Sequence, residues 1–329
     1  MELYTPVTPS KHLPRCSQAD SLMLFGSCFA TEIGQRLCDA KFRCDVNPYG
    51  VLYNPASIAT ALREVMEGVP YTAENLFELG GCWHSPMHHS SFSDERRERV
   101  LEDINLRLAK AHTHLASCRM LLLTWGTAYV YTDKRTGRVV GNCHKRPERA
   151  FVRRRLSVEE IVEEYTDLIT ALTQQGWDGQ MVCTVSPIRH IRDGLHENQL
   201  SKATLLLAID RLQQIFPDRF FYFPAYEIVL DELRDYRFYA EDMVHPSELA
   251  VRYVWQRFTE ACLTAEARQV AAFCEEIHKA LAHKPFRPES EEYKCFLGQI
   301  VLKIEQISGK YPYLDFQNEK ELCRIRLKA

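Results

Sequence analysis

The chain has 329 residues, of which 46% are apolar and 26% charged, and a formal net charge of −3. These values suit a water-soluble globular protein with a substantial core, and they give no general electrostatic case for nucleic acid or an acidic membrane as partner. No run approaches the roughly twenty apolar residues of a membrane span. The start, Met1-Glu2-Leu3-Tyr4-Thr5-Pro6, lacks the basic-then-apolar order of a secretory signal. Twelve cysteines occur at irregular spacings with no Cys-x-x-Cys pair, and Cys118, Cys183 and Cys262 lie in apolar runs. Buried free thiols in a reducing, cytoplasmic setting explain them better than a disulfide framework.

Residues 1–20 are polar and dotted with proline. Leu22, Met23, Leu24 and Phe25 then read as a short buried strand, Gly26-Ser27 as a sharp turn, and Phe29, Ile33 and Leu37 as the inner stripe of a helix. A second short strand is expected within 42–53, with Asn47-Pro48-Tyr49-Gly50 as a turn. Asn54-Pro55 opens a helix carrying Ile58, Leu62 and Val65. Residues 68–95 are irregular and hold His84, His88 and His89, which lack companions at metal-ligand spacing and are expected to be substrate-loop or plain surface histidines. An amphipathic helix over 93–115 precedes the clearest buried strand, Arg119 to Thr127.

Tyr129 to Thr132 and Val139 to Gly141 suggest an inserted hairpin, followed by a basic run with Arg146, Arg149, Arg153, Arg154 and Arg155 that is expected to be a solvated face. Ser157-x-x-Glu160 is a capping box opening the next helix. Gln180 to Val185 is another strand, Asn198 to Ile215 a helix, and Phe220 to Phe223 with Ile228 to Leu230 the last strand region. From Ser247 onward the pattern is helical over 247–260, 264–283 and about 290–308. Strands alternating with helices imply an α/β fold with a central parallel sheet covered on both faces.

Two distant stretches carry chemistry. Ser27 stands between a strand and a helix, at the sheet edge where such folds place their ligands. Taken alone, the stretch favours a plain N-cap serine. Asp242-x-x-His245 follows the last strand region and falls at the same edge. A serine hydroxyl, a histidine that accepts its proton and an aspartate that orients the imidazole are the parts of a nucleophilic triad.

Gly26-Ser27-Cys28-Phe29-Ala30 resembles the signature of the GSCFA-domain family, which is similar to the SGNH (GDSL-type) esterases and lipases. The resemblance runs from about residue 20 to 260 and includes Asn47 to Gly50, Thr124 to Thr127, Asn142 to Lys145, Thr184 to Pro187 and Asp242 to Pro246. It implies a flavodoxin-like three-layer α/β/α fold over residues 1–260, with 261–329 as a C-terminal helical extension. It also implies an ester hydrolase acting on a small acyl ester, such as an O-acetylated carbohydrate, without metal or organic cofactor. Ser27 is then the nucleophile, His245 the general base and Asp242 the orienting carboxylate, with oxyanion donors from the Ser27 and Gly50 amides. The asparagine of the SGNH third block is missing, and Thr127 or Asn142 is its substitute. Trp125, His144, Lys145, Arg189 and His190 are candidate substrate contacts, and Cys28 is expected to be buried in sheet packing. Two other readings are an O-acyltransferase and a non-catalytic binder. The binder would hold an anionic or sugar ligand through Lys145 to Arg155 and the loop Trp83 to His89.

Overall fold

The computed structural model describes residues 4–283 and 285–328. Its centre is a five-stranded parallel sheet in the order β2 (Arg43–Val46), β1 (Ser21–Gly26), β5 (Met120–Trp125), β8 (Gln180–Val185), β9 (Phe220–Tyr222). Every side chain of β1 and β5 is buried, as a strand covered on both faces requires. Register is continuous from Leu22 against Met120 to Met120 against Gln180, so the carboxyl ends of β1, β5 and β8 form one rim.

Helices α2 (Pro55–Glu67), α3 (Arg97–Ala116), α4 (Val158–Gln174) and α5 (Leu195–Ile215) cover one face. Met23, Leu121 and Cys183 of the sheet pack there with Ile58, Leu108, Leu168 and Ile209. On the other face lie α1 (Cys28–Asp39) and α7 (Glu248–Cys262), where Leu22, Leu122 and Val182 meet Phe29, Ile33 and Phe258. Local signals hold: the Asn54 side chain caps α2 through Ser57 N–H at 2.8 Å with Pro55 next, and the Ser157–Glu160 box opens α4.

Two hairpins stand outside the sheet, β3 (Phe77–Leu79) with β4 (Cys82–His84) and β6 (Tyr129–Asp133) with β7 (Phe151–Arg155). β6 is flanked on both edges: the expected return through Val139 is made by Asp133 N–H to Arg138 O and Val140 N–H to Tyr131 O, both at 2.9 Å, with a Thr132–Val139 bridge, while β7 adds a longer ladder not foreseen from the sequence. The second half of the basic run, Arg153 to Arg155, is itself part of a strand. Ile228 to Leu230 is also not a strand; after the short α6 (Ala225–Glu227) it forms a widened helical turn, Ile228–Leu233, because Ile228 and Val229 seal the core beyond the sheet edge.

Helix α8 (Ala265–Ala282) is two-faced. Ala267 and Ala271 join the α1/α7 layer, while Val270, Cys274 and Ile277 join a separate core with α9 (Glu291–Lys310) and α10 (Gln317–Lys328). Lys41 fastens α10 to the α1–β2 turn by bonding Glu319 at 2.6 Å with its ammonium over the Phe316 ring. All twelve cysteines are free thiols.

Candidate functional site at the carboxyl rim of the sheet

Gly26 ends β1 at φ +153, and a Cβ there would lie 2.5 Å from the Thr124 carbonyl, so only glycine makes this turn. Asn47 clamps it: Oδ1 accepts from Gly26 N–H at 2.9 Å and Nδ2 donates to Thr31 Oγ1 at 2.9 Å. Ser27 follows in extended backbone at the N-cap of α1, yet its side chain makes no capping bond. The hydroxyl is buried, with no partner among the described residues, and Ser27 as a whole is 1% exposed. This departs from the plain-cap expectation. A capping serine gives its side-chain oxygen to a first-turn amide; here Ala30 N–H bonds the Ser27 carbonyl instead, at 2.8 Å, and the Cys28 and Phe29 amides have no partner among the described residues.

The exposed side chain of the turn is Cys28, against the expectation that it would be buried. Its Sγ lies 3.9 Å from the Tyr53 hydroxyl, and burial raises the Tyr53 phenol to about 12. Tyr53 also braces the rim from its backbone, where its carbonyl accepts from Gly126 N–H at 2.8 Å and Thr127 N–H at 2.9 Å.

The Asp242–His245 pair is formed. His245 Nδ1 and Asp242 Oδ2 are 2.5 Å apart, while Asp242 Oδ1 accepts from the amides of Val244 and His245 at 3.0 and 2.9 Å. Those amides, ahead of the imidazole, bring the carboxyl down to about 2. The loop is tight, with Met243 at φ +59, and it is pinned to the strand loops by Arg189 N–H to Val244 O at 3.1 Å. His245, Cys28, Phe29, Ile188 and Val251 line one cavity of about 340 Å³. A larger hollow of about 560 Å³ sits at the opposite edge of the sheet around Arg119, Asp178 and Arg219, and holds none of the predicted site residues.

His190 belongs to this rim. Its Nε2 is buried without a partner among the described residues and would stand 3.4 Å from a Cβ on Gly126, and its ring meets Tyr53 edge-on at 6.4 Å. Burial, then the Lys202 charge, lowers its imidazole to about 4, so it is neutral near pH 7. Beneath it Lys202, 1% exposed, donates to Gly126 O and Ser186 O, both at 2.6 Å, and ties the ends of β5 and β8 together. Burial and the neighbouring Arg189 bring this amine down to about 7. Two of the amine's N–H donors are used by those carbonyls, and the Tyr226 ring stands 6.0 Å from the nitrogen.

Several predicted contacts serve other purposes. Gly50 N–H donates to Asn47 O at 2.8 Å and is therefore engaged within its own turn. The Thr127 hydroxyl pairs with Ser201 Oγ at 3.1 Å, and Asn142 bonds Ser90 Oγ at 3.4 Å and His144 N–H at 2.9 Å. Trp125 is a core residue whose indole donates to Tyr165 OH at 3.1 Å. His144 is buried and bonded to Ser85 O at 2.8 Å, while Lys145 is an exposed turn residue. Arg189 reaches Gln199 at 3.2 Å and Tyr226 at 3.4 Å, inside the rim. Within the histidine loop, His88 stacks on Tyr49 at 4.2 Å and His84 bonds Ser93 at 2.7 Å.

Four of the five arginines of the basic run are neutralised in place: Arg146 pairs with Asp133, Arg153 with Asp193, Arg154 with Glu160 and Arg155 with Glu197. Sequence reasoning missed Asn47 as a clamp, Tyr53 and Lys202. Asn47 alone gave a signal, as a turn residue; a lysine or tyrosine inside a helical or loop stretch carries none.

No curated protein and no solved structure matches the chain. The model of the GSCFA family matches residues 21–258, and that of the GSCFA domain protein, C-terminal domain, matches residues 274–329. The first match spans the whole sheet, from the Ser27 turn to the His245 loop and α7, and the chain belongs to the GSCFA family.

Proposed function

We propose that this protein is a serine ester hydrolase of the SGNH kind, in which Ser27 forms an acyl-enzyme. The observation that carries the reading is the idle hydroxyl of Ser27. It occupies an N-cap position without capping, on the same rim as a histidine already paired to a carboxylate. A hydroxyl with no hydrogen bond to break turns cheaply about χ1, from its buried position toward the cavity shared by Cys28 and His245.

In the proposed reaction Ser27 Oγ attacks the ester carbonyl while its proton passes to His245 Nε2. Asp242 holds Nδ1–H and stabilises the imidazolium. The amides of Cys28 and Phe29 join that of Ser27 in receiving the oxyanion, in place of Gly50, since a helix start directs its free N–H groups at developing negative charge. Collapse of the intermediate breaks the ester C–O bond, and the leaving alkoxide takes the proton from Nε2. A water then attacks the acyl carbon, gives its proton to Nε2, and the acid leaves as Ser27 Oγ regains that proton.

The test is covalent labelling with a fluorophosphonate probe. Expected is one label per chain, placed on Ser27 by peptide mapping and lost in Ser27→Ala. A folded wild-type protein that takes no label overturns the proposal.

A further inference from the structure

The His245 cavity does not end at its outer wall. Glu32 of α1 and Glu248 of α7 line both it and a neighbouring groove of about 660 Å³ that runs between α1, α7 and α8. One helical turn further along, each of these helices presents an arginine to the groove, Arg36 after Glu32 and Arg252 after Glu248. Four residues of helix advance about 6 Å. A third guanidinium, Arg268, enters from α8.

These three arginines differ from the others near the site. Arg153, Arg154 and Arg155 are each matched by a carboxylate, whereas Arg36, Arg252 and Arg268 have no ion pair among the described residues. Arg36 Nε is buried with no hydrogen-bond partner among the described residues. Of the groove's other acids, Glu275 is paired with Lys279 at 2.5 Å, and Asp39, bonded by the neutral Gln35 amide at 2.8 Å, leaves one carboxylate charge beside the three guanidiniums. The channel is thus acidic where it joins the reaction cavity and cationic about one helical turn away. Trp255 forms part of its wall.

We infer that the groove is a binding site for an anionic group, carboxylate or phosphate, on the molecule whose ester end enters the His245 cavity. Guanidinium forks from three helices suit the planar or tetrahedral oxygens of such a group, and their separation from the Glu32–Glu248 gate excludes the anion from the reacting end. The inference rests on the proposed hydrolase reading for its ester end only. The anion site stands on its own geometry, and it gives α8 a part in ligand binding.

The experiment reads binding, not turnover. Full-length Ser27→Ala protein is titrated with glucuronate, glucose 6-phosphate and glucose by calorimetry, and the titration is repeated in Ser27→Ala combined with Arg36→Gln and Arg252→Gln. Expected is saturable binding of at least one anionic sugar, weakened tenfold or more in the arginine variant, with glucose inert. Glucuronate and glucose 6-phosphate distinguish a carboxylate from a phosphate ligand. Equal binding of glucose, no binding of either anion, or affinity unchanged by the arginine substitutions overturns the inference. Absence of fluorophosphonate labelling in the folded wild-type protein, with anion binding intact, would fault the hydrolase reading alone.

Discussion

The two halves of the site are built in opposite ways. The Ser27 turn is a product of the sheet: fully buried strand before it, glycine enforced by Thr124, and a hydroxyl left without a partner. The Asp242–His245 loop lies outside the sheet, with both side chains about half exposed and every oxygen of the carboxylate engaged. One half is rigid with an idle reactive atom. The other is solvated with a saturated orienting group. A nucleophile needs a fixed attack line and freedom to bond, whereas its base needs a fixed tautomer and contact with solvent protons.

Removing either reactive group tests that division most severely. Ser27→Ala and His245→Ala should each lower hydrolysis of a short p-nitrophenyl ester by about a thousandfold or more, with no added loss in the double variant, because the two groups act as one unit. Losses that multiply would separate them. Asp242→Asn should cost between about a hundredfold and ten-thousandfold in kcat by releasing the imidazole tautomer, with KM little changed. Because the wild-type carboxyl sits at about 2, it stays ionised across an assay range of pH 5 to 8.

Cys28 sharpens the comparison from the serine side. Its thiol is exposed in the shared cavity, so a bulky maleimide at Cys28 should abolish fluorophosphonate labelling while Cys28→Ala retains most of it. Strong loss in Cys28→Ala would make the thiol a participant. Lys202 tests the rigid half through stability. Its folded amine at about 7 lies below the roughly 10.4 of an unfolded lysine, so between those values the unfolded chain binds more protons and stability rises with pH. Buried thiols raised to about 12, such as Cys16, oppose this only above their ordinary range near 8.5. The melting temperature should therefore climb from pH 7 to 8.5, and Lys202→Met should flatten that slope. The smallest effect is expected at Thr127. Its hydroxyl braces Ser201, so Thr127→Val should cost about 1 kcal/mol of unfolding free energy and leave labelling unchanged.

Much of the scaffold was legible because it is local. The Asn54-Pro55 cap, the Ser157–Glu160 box and the buried runs of β1, β5 and β8 depend on a few adjacent residues, and the structure holds them where periodicity put them. Pairing was less legible. β6 takes both neighbours, Val139 through the tight Asp133–Arg138 turn and Phe151 to Arg155 along its other edge, where Arg146 bonds Asp133 and covers Phe151; the second partner returns across a longer loop that no local pattern records. Helix α10 is polar in sequence, and it is held by Cys323 and Phe316 in the C-terminal core.

The amino-acid order by itself determined the alternation of strands and helices, the glycine turn before Ser27 and the pairing of Asp242 with His245 three residues on, since each is settled within one or two turns of chain. Tertiary structure alone decided which groups at the rim are engaged: that Gly50, Thr127 and Asn142 already have partners, that Ser27 has none while Cys28 is exposed, and that Lys202 ends beneath His190. Partnership and burial depend on what distant segments bring to the same place, and single-chain periodicity carries no record of that.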